Sequence, residues 1–207
     1  YDPKNYDFEI IQLKNNGIGA HDAVITGLSY SDSDCVIVFP ADDIVNQNII
    51  DDMYNKFCDG SEIVVASRFM MGGSMKGCPI LKSILVRAAS KTLYLFSSIP
   101  VKDASNGFRL FSRRILNLVK IESNTGFTYS IELLVKCKRL GWKIGEVPAQ
   151  WEERTQGNSR FKVIQWAPNY IRWYFYGLST SWLFKGPETV KMKVQKTDYL
   201  VEESNLF

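Results

Sequence analysis

Residues 34–43 read DCVIVFPADD: five apolar residues in a row, then a proline, then two adjacent acids after one alanine. An unbroken apolar run of this length, closed by a turn signal, is a strand buried on both faces, as in parallel α/β sheets. Working outward, NNGIGAHDAVITGLSYS at 15–31 turns through two glycines into a helix-like stretch, and FEIIQL at 8–13 reads as a second buried strand. Downstream, 46–58 has helical spacing and EIVVASRF at 62–69 supplies a third apolar strand. Strand, helix, strand, helix, strand at these intervals predicts an α/β chain with a Rossmann-like, mostly parallel sheet flanked by helices.

Farther on, MMGGSMKGCP at 70–79 is glycine-rich and fits neither period, so it reads as a loop. Residues 80–97 carry apolar side chains at helical spacing with Lys82, Arg87 and Lys91 among them, and 100–113 turns into a strand at FRLFSRR. A helix is expected over 126–141, closed by Gly141, and a strand over 142–151 with Pro148 near its end. Between Trp166 and Phe184 lie eight aromatics, interrupted by Asn169 and Arg172. This is a poor membrane span, and its three- and four-residue spacing suits either a helix at the headgroup level or one that covers the sheet. The last stretch, 186–207, is polar and aperiodic and reads as a loosely ordered tail.

The 207 residues carry 25 basic and 22 acidic side chains, a net charge of +3 that gives no electrostatic case for a nucleic-acid partner. The sum conceals a division. Residues 1–62 hold 12 acids and 3 bases, whereas 68–114 hold 9 bases and 1 acid. Carboxylates that hold a cation beside a site for phosphates would use such a division, although clustered surface charge produces it too. The four cysteines, Cys35, Cys58, Cys78 and Cys137, form no C-x-x-C pair, which excludes a zinc ribbon and fits a reducing compartment. The chain opens at Tyr1 with no signal segment, which reads as a processed protein or a piece of a longer one.

Asp42 and Asp43 follow a buried strand directly, which in an open sheet places them at the carboxyl edge where ligands bind. Two such acids suit a hard divalent cation, and equally the start of a helix. Arg68 ends the next strand and points to the same crevice. Lys82, Arg87, Arg154 and Arg160 add cations from several elements, the arrangement that binding two phosphate groups requires.

The blocks NNGIGAHDAVITGLSYSDSDCVIVFPADD, ASRFMMGG, DASNGFRLFSRR and GFTYSIELLVKCKRLGWKIGEVPAQWEERTQGNSRFK resemble, in order, family 2 glycosyltransferases of the dolichol-phosphate mannosyltransferase-like or polyprenyl-phosphate group. The resemblance covers roughly residues 8–162 and implies a GT-A fold, a nucleotide-sugar donor, a divalent cation (Mg2+ or Mn2+) and a lipid-phosphate acceptor. It divides the chain into a partial GT-A domain over 1–162, an aromatic interfacial segment over 163–185 and a polar tail over 186–207. Pro40-Ala41-Asp42 stands where the family has its Asp-x-Asp metal motif, so Asp42 inherits the metal role, with Asp43 as a second carboxylate and Pro40 as a departure. Arg68, Lys82, Asp103 and Arg154 fall on positions of the family's reaction site, with lysine at 82 in place of an arginine. Arg87, Gly107, Arg109, Glu132, Ser159 and Arg160 are carried over as substrate-binding positions. The family's opening Pro-x-Tyr-Asn-Glu run and its Asp-Asp-Gly-Ser segment have no counterpart, which implies an N-terminally truncated chain.

The implied chemistry is an inverting displacement at the sugar's anomeric carbon, at the cytoplasmic face of a membrane. A lipid-phosphate acceptor needs no general base, whereas a saccharide hydroxyl would need one, with Asp103 the first candidate. A nucleotidyltransferase would be expected to show a glycine-rich basic loop near its start, and a non-catalytic binding module is the reading that Pro40 favours.

Overall fold

The computed structural model describes residues 9–152 and 163–193. Helix α1 (Gly19–Tyr30) leads to β1 (Cys35–Val38), and a 3-10 turn at Gln47–Ile49 opens α2 (Ile50–Cys58). Then come β2 (Ile63–Ser67), the short β3 (Ser74–Lys76), α3 (Ile80–Phe96), β4 (Arg109–Ser112) and α4 (Arg113–Leu118). Helix α5 (Thr128–Arg139), β5 (Ile144–Pro148), β6 (Gln150–Glu152) and α6 (Val163–Trp182) complete the regular structure before a final 3-10 turn at Pro187–Thr189.

The main sheet has the order β1-β4-β2-β5. Strands β1, β2 and β5 run in one direction, and β4 lies reversed between β1 and β2, so the sheet is mixed. The reversal follows from a long-range contact. Asp103 is bonded to Arg68 just beyond the carboxyl end of β2, so the chain re-enters the sheet from that edge and β4 must run back. The second sheet pairs β3 with β6 in parallel, which turns part of the expected 70–79 loop into a three-residue strand.

Alternation along the strands feeds two cores. Ile63, Val65 and Phe111 pack with Leu93, Leu134 and Trp173 on one face, and Val64, Ala66 and Leu110 pack with Ile49 and Met53 on the other. Period-two burial on both sides is what an apolar run such as IVVA permits. Helix α2 covers the second face, while α3, α5 and α6 cover the first.

Two expectations are corrected and one open choice is narrowed. Residues 9–13 form no strand, and Ile10, Ile11 and Leu13 are exposed, because no described strand offers them a ladder partner; Phe8 lies outside the described residues. Trp173 is in the core at 1% exposure, so the inner face of α6 covers the sheet instead of meeting solvent. Through Lys193 the final segment is tied down: Val190 is buried, Lys193 N–H donates to the Leu118 carbonyl at 2.7 Å, and its ammonium reaches the Leu116 carbonyl at 2.6 Å.

Candidate active site

The carboxyl ends of β1, β2 and β5 and the amino end of β4 share one edge of the sheet. Asp42 and Asp43 follow β1, Arg68 follows β2, residues 103–107 precede β4, and Gln150 and Trp151 follow β5. Four chain segments that are distant in sequence therefore meet where a ligand of an open α/β sheet binds.

At the centre is a clamp. Arg68 Nε donates to Asp103 Oδ2 at 2.7 Å and Nη2 to Oδ1 at 2.9 Å, a bidentate pair, while the Arg68 backbone N–H adds a third bond at 3.1 Å. Asp103 Oδ1 also accepts the N–H groups of Ser105 and Asn106 and the Ser105 hydroxyl. Burial by itself would raise this carboxyl; the Arg68 hydrogen bonds and charge and the Ser105 hydroxyl outweigh it and hold Asp103 below the ordinary carboxylate range. Asp103 is fully buried with both oxygens engaged, which makes it a poor proton acceptor.

Around the clamp the cations are seated on aromatic rings. Phe69 has the Arg68 guanidinium carbon 5.0 Å from its centroid and that of Arg87 at 4.8 Å. Lys82 Nζ lies 5.3 Å from the Trp151 centroid. Trp151 pairs with Met75 across the β3/β6 ladder, and Met75 Sδ accepts from Arg68 Nη1 at 3.8 Å. This small sheet reaches the clamp because the chain after β2 folds back sharply. Gly72 has φ +88°, and a Cβ on Gly73 would fall 2.4 Å from the Ser67 carbonyl oxygen.

Asp43 is committed elsewhere. Its Oδ1 accepts the N–H groups of Val45 and Asn46 and its Oδ2 accepts Asn46 Nδ2 at 2.6 Å, while Asn46 bonds both backbone groups of Gln150. The carboxylate thus ties the β1 loop to β6, and the expectation of a second metal ligand at 43 does not match its bonding. Among the described residues no three His, Cys, Asp or Glu side chains gather into a metal cage. Asp42 is exposed at the same edge. One carboxylate with water and phosphate oxygens suits Mg2+-type coordination, and Asp42 fits that donor set.

Two further sequence candidates are internal. Arg109 is fully buried and donates to the carbonyls of Asn106 at 2.8 Å, Ala104 at 2.6 Å and Ser130. Burial lowers it to about 10, partly offset by Asp103, so it remains charged at neutral pH. Glu132, also fully buried, accepts the N–H groups of Glu122 and Ser123 and the Lys136 ammonium at 2.7 Å, and Lys136 bonds Glu122 at 2.9 Å. Both brace the fold behind the site. Gly107 lies in the loop that leads into β4, next to the Phe127 ring. Arg154, Ser159 and Arg160 lie outside the described residues. Sequence reasoning missed Phe69, Met75, Ser105, Asn46 and Trp151, whose roles depend on contacts that no local pattern records.

The Glycosyl transferase family 2 model matches residues 1–119. The chain is 27% identical over 160 residues to a dolichol-phosphate mannosyltransferase of Pyrococcus furiosus, covering 76% of this chain and 44% of that protein. It is 24% identical over 119 residues to a polyprenol monophosphomannose synthase of Mycolicibacterium smegmatis, covering 52% of this chain and 45% of that protein. The chain thus spans less than half the length of these relatives.

Proposed function

The chain belongs to glycosyl transferase family 2, and from that premise we propose that it moves a hexose from a nucleotide sugar to a polyprenyl or dolichyl phosphate. The observation that carries the acceptor class is the state of Asp103. Buried, doubly paired and held ionised, it is unsuited to take a proton from a hydroxyl, whereas Lys82 and Arg87 bring positive charge to the same edge. An acceptor that is already an anion needs no base.

In this reading the acceptor phosphate oxygen forms a bond to the anomeric carbon as the bond to the donor's diphosphate breaks on the opposite face. Lys82 and Arg87 hold the acceptor phosphate, and the Arg68–Asp103 clamp fixes the floor against which both substrates align, supplying proximity more than chemistry. A divalent cation, when bound through Asp42, supplies charge neutralisation at the diphosphate oxygens. The relatives' names support mannose as the sugar, which makes GDP-mannose the first donor to assay and a UDP-hexose the second.

A lipid acceptor also accounts for the outer surface. No helix among the described residues is long and apolar enough to cross a membrane. Helix α3 instead exposes Ile80, Leu81, Ile84 and Leu85, α6 exposes Phe175 and Trp182, and the Phe96 and Trp182 rings meet at 6.3 Å between the two helices. With Lys82, Arg87 and Lys91 beside it, this face suits shallow insertion at an anionic membrane surface.

The test is a pH profile of kcat/KM with polyprenyl phosphate as acceptor. The rate falls below pH about 6, where the dianion of a phosphate monoester takes up a proton, and Asp103→Asn keeps the same midpoint. A midpoint that moves with Asp103→Asn would make Asp103 a base and a hydroxyl the acceptor.

A further inference from the structure

Two cations of α3 end on aromatic rings contributed by other elements, Arg87 on Phe69 after β2 and Lys82 on Trp151 of β6. We propose that Phe69 and Trp151 are positioning residues, rings that hold the Arg87 and Lys82 side chains in the geometry that receives a phosphate. This rests on the lipid-phosphate reading above and assigns roles to two residues outside the charged set.

The arrangement has the marks of a preset site. A lysine or arginine on an exposed helix face samples many rotamers, and ordering it on binding costs affinity. A ring face that attracts the cation restricts that sampling in advance. Arg68 is held by a different means, its bidentate pair with Asp103. Phe69 contacts both guanidiniums, so it transmits the fixed position of the clamped Arg68 to Arg87. The Arg87 Nε bond to Ser83 Oγ at 3.3 Å holds the side chain along its own helix, leaving its tip on the ring. On the other side, Trp151 is fixed by its ladder partner Met75, which itself touches Arg68. The two seats are therefore connected through the same clamp. A ring without charge contributes nothing to an anion directly, so its effect must appear through the cation it holds.

The test uses farnesyl monophosphate as a soluble probe, its dissociation constant measured by calorimetry, beside the NMR shifts of the Arg87 side chain, which the Phe69 ring current displaces. In Phe69→Leu the ring-current displacement disappears and the dissociation constant rises about five- to tenfold, the range of a partly desolvated cation–π contact. Phe69→Tyr, which keeps the ring face, restores both. Arg87→Ala weakens the probe, and adding Phe69→Leu to it costs clearly less than Phe69→Leu costs alone, since the ring's effect on the probe runs chiefly through Arg87. Trp151→Leu and Trp151→Phe repeat the loss and the rescue for Lys82. Loss of the ring-current shift with unchanged affinity overturns the proposal and leaves the transferase reading intact, as would losses from Phe69→Leu and Arg87→Ala that simply add. Failure of the wild-type chain to bind the probe overturns both together.

Discussion

Two buried acids, Asp103 and Glu132, occupy similar surroundings and do different work. Each is fully buried, each is paired with one cation, and each also accepts two backbone N–H groups from a nearby loop, with the Arg68 N–H a third for Asp103. The Asp103 pair lies at the carboxyl edge of the sheet, beneath rings that carry two further cations. The Glu132 pair lies under α6, where Lys136 also bonds Glu122 and the Lys120 carbonyl and faces the Trp173 ring at 5.0 Å. Burial and pairing alone do not distinguish a site from a brace; the neighbouring cations and the sheet edge do.

The comparison breaks first at the acids themselves. Asp103→Ala strands the Arg68 guanidinium, and Glu132→Ala strands the Lys136 ammonium, so each lowers unfolding stability by about 3–5 kcal/mol in urea titrations. Turnover per folded molecule separates them. Asp103→Asn loses most activity because the bidentate fork is gone, whereas Glu132→Gln keeps it. Equal activity losses in the two variants would mean that Glu132 belongs to the site after all.

At the next level, Arg87→Ala and Lys82→Ala remove cations of α3 that contact ring faces and, for Arg87, the Ser83 hydroxyl of its own helix, all outside the buried core. Each shifts stability by less than about 0.5 kcal/mol and weakens a phosphate-bearing acceptor about tenfold to a hundredfold, the range of a charged hydrogen bond. An unchanged KM for acceptor would remove that cation from the site. Asp43 and Asp42 sharpen the same contrast. Asp43→Ala lowers stability by about 1–2 kcal/mol through lost backbone bonds, while Asp42→Ala raises the divalent-ion concentration needed for activity.

The smallest effect is the acid limb. Burial would raise Glu122, but its hydrogen bonds and charge contacts with Lys191 and Lys136 dominate and bring it to about 2 from an ordinary 4.5. A depressed folded value means that its stabilisation is complete above about pH 4.5 and is lost as pH falls toward 2. Asp103 is shifted in the same direction, so Glu122→Gln flattens the acid limb only in part. A limb of unchanged slope would show that Glu122 is not so shifted.

Much of the fold was legible because periodicity and punctuation are local. DCVIVF and EIVVAS became β1 and β2, the run before Gly141 became α5, and the glycine's φ of +73° shows why that helix ends there. What escaped was non-local. The reversed β4 follows from a bond between residues 35 positions apart, and β3 exists only because β6 lies beside it. FEIIQL is apolar enough to be a strand but has no described partner. At the site, Arg68, Asp103, Lys82 and Arg87 were found by type and order, and the structure brings them to one edge. The fate of each carboxylate was not readable: hydrogen bonds take the oxygens of Asp43 and Glu132, and nothing in the local sequence around either acid signals it.

The most direct measurement is transfer from labelled GDP-mannose and UDP-hexose, with organic-phase label counted for polyprenyl phosphate, neutral polyprenol and soluble saccharides offered in parallel. Label in the organic phase with polyprenyl phosphate alone is the result predicted here. Label in saccharide, or equal label with the neutral polyprenol, would contradict an acceptor chosen for its phosphate.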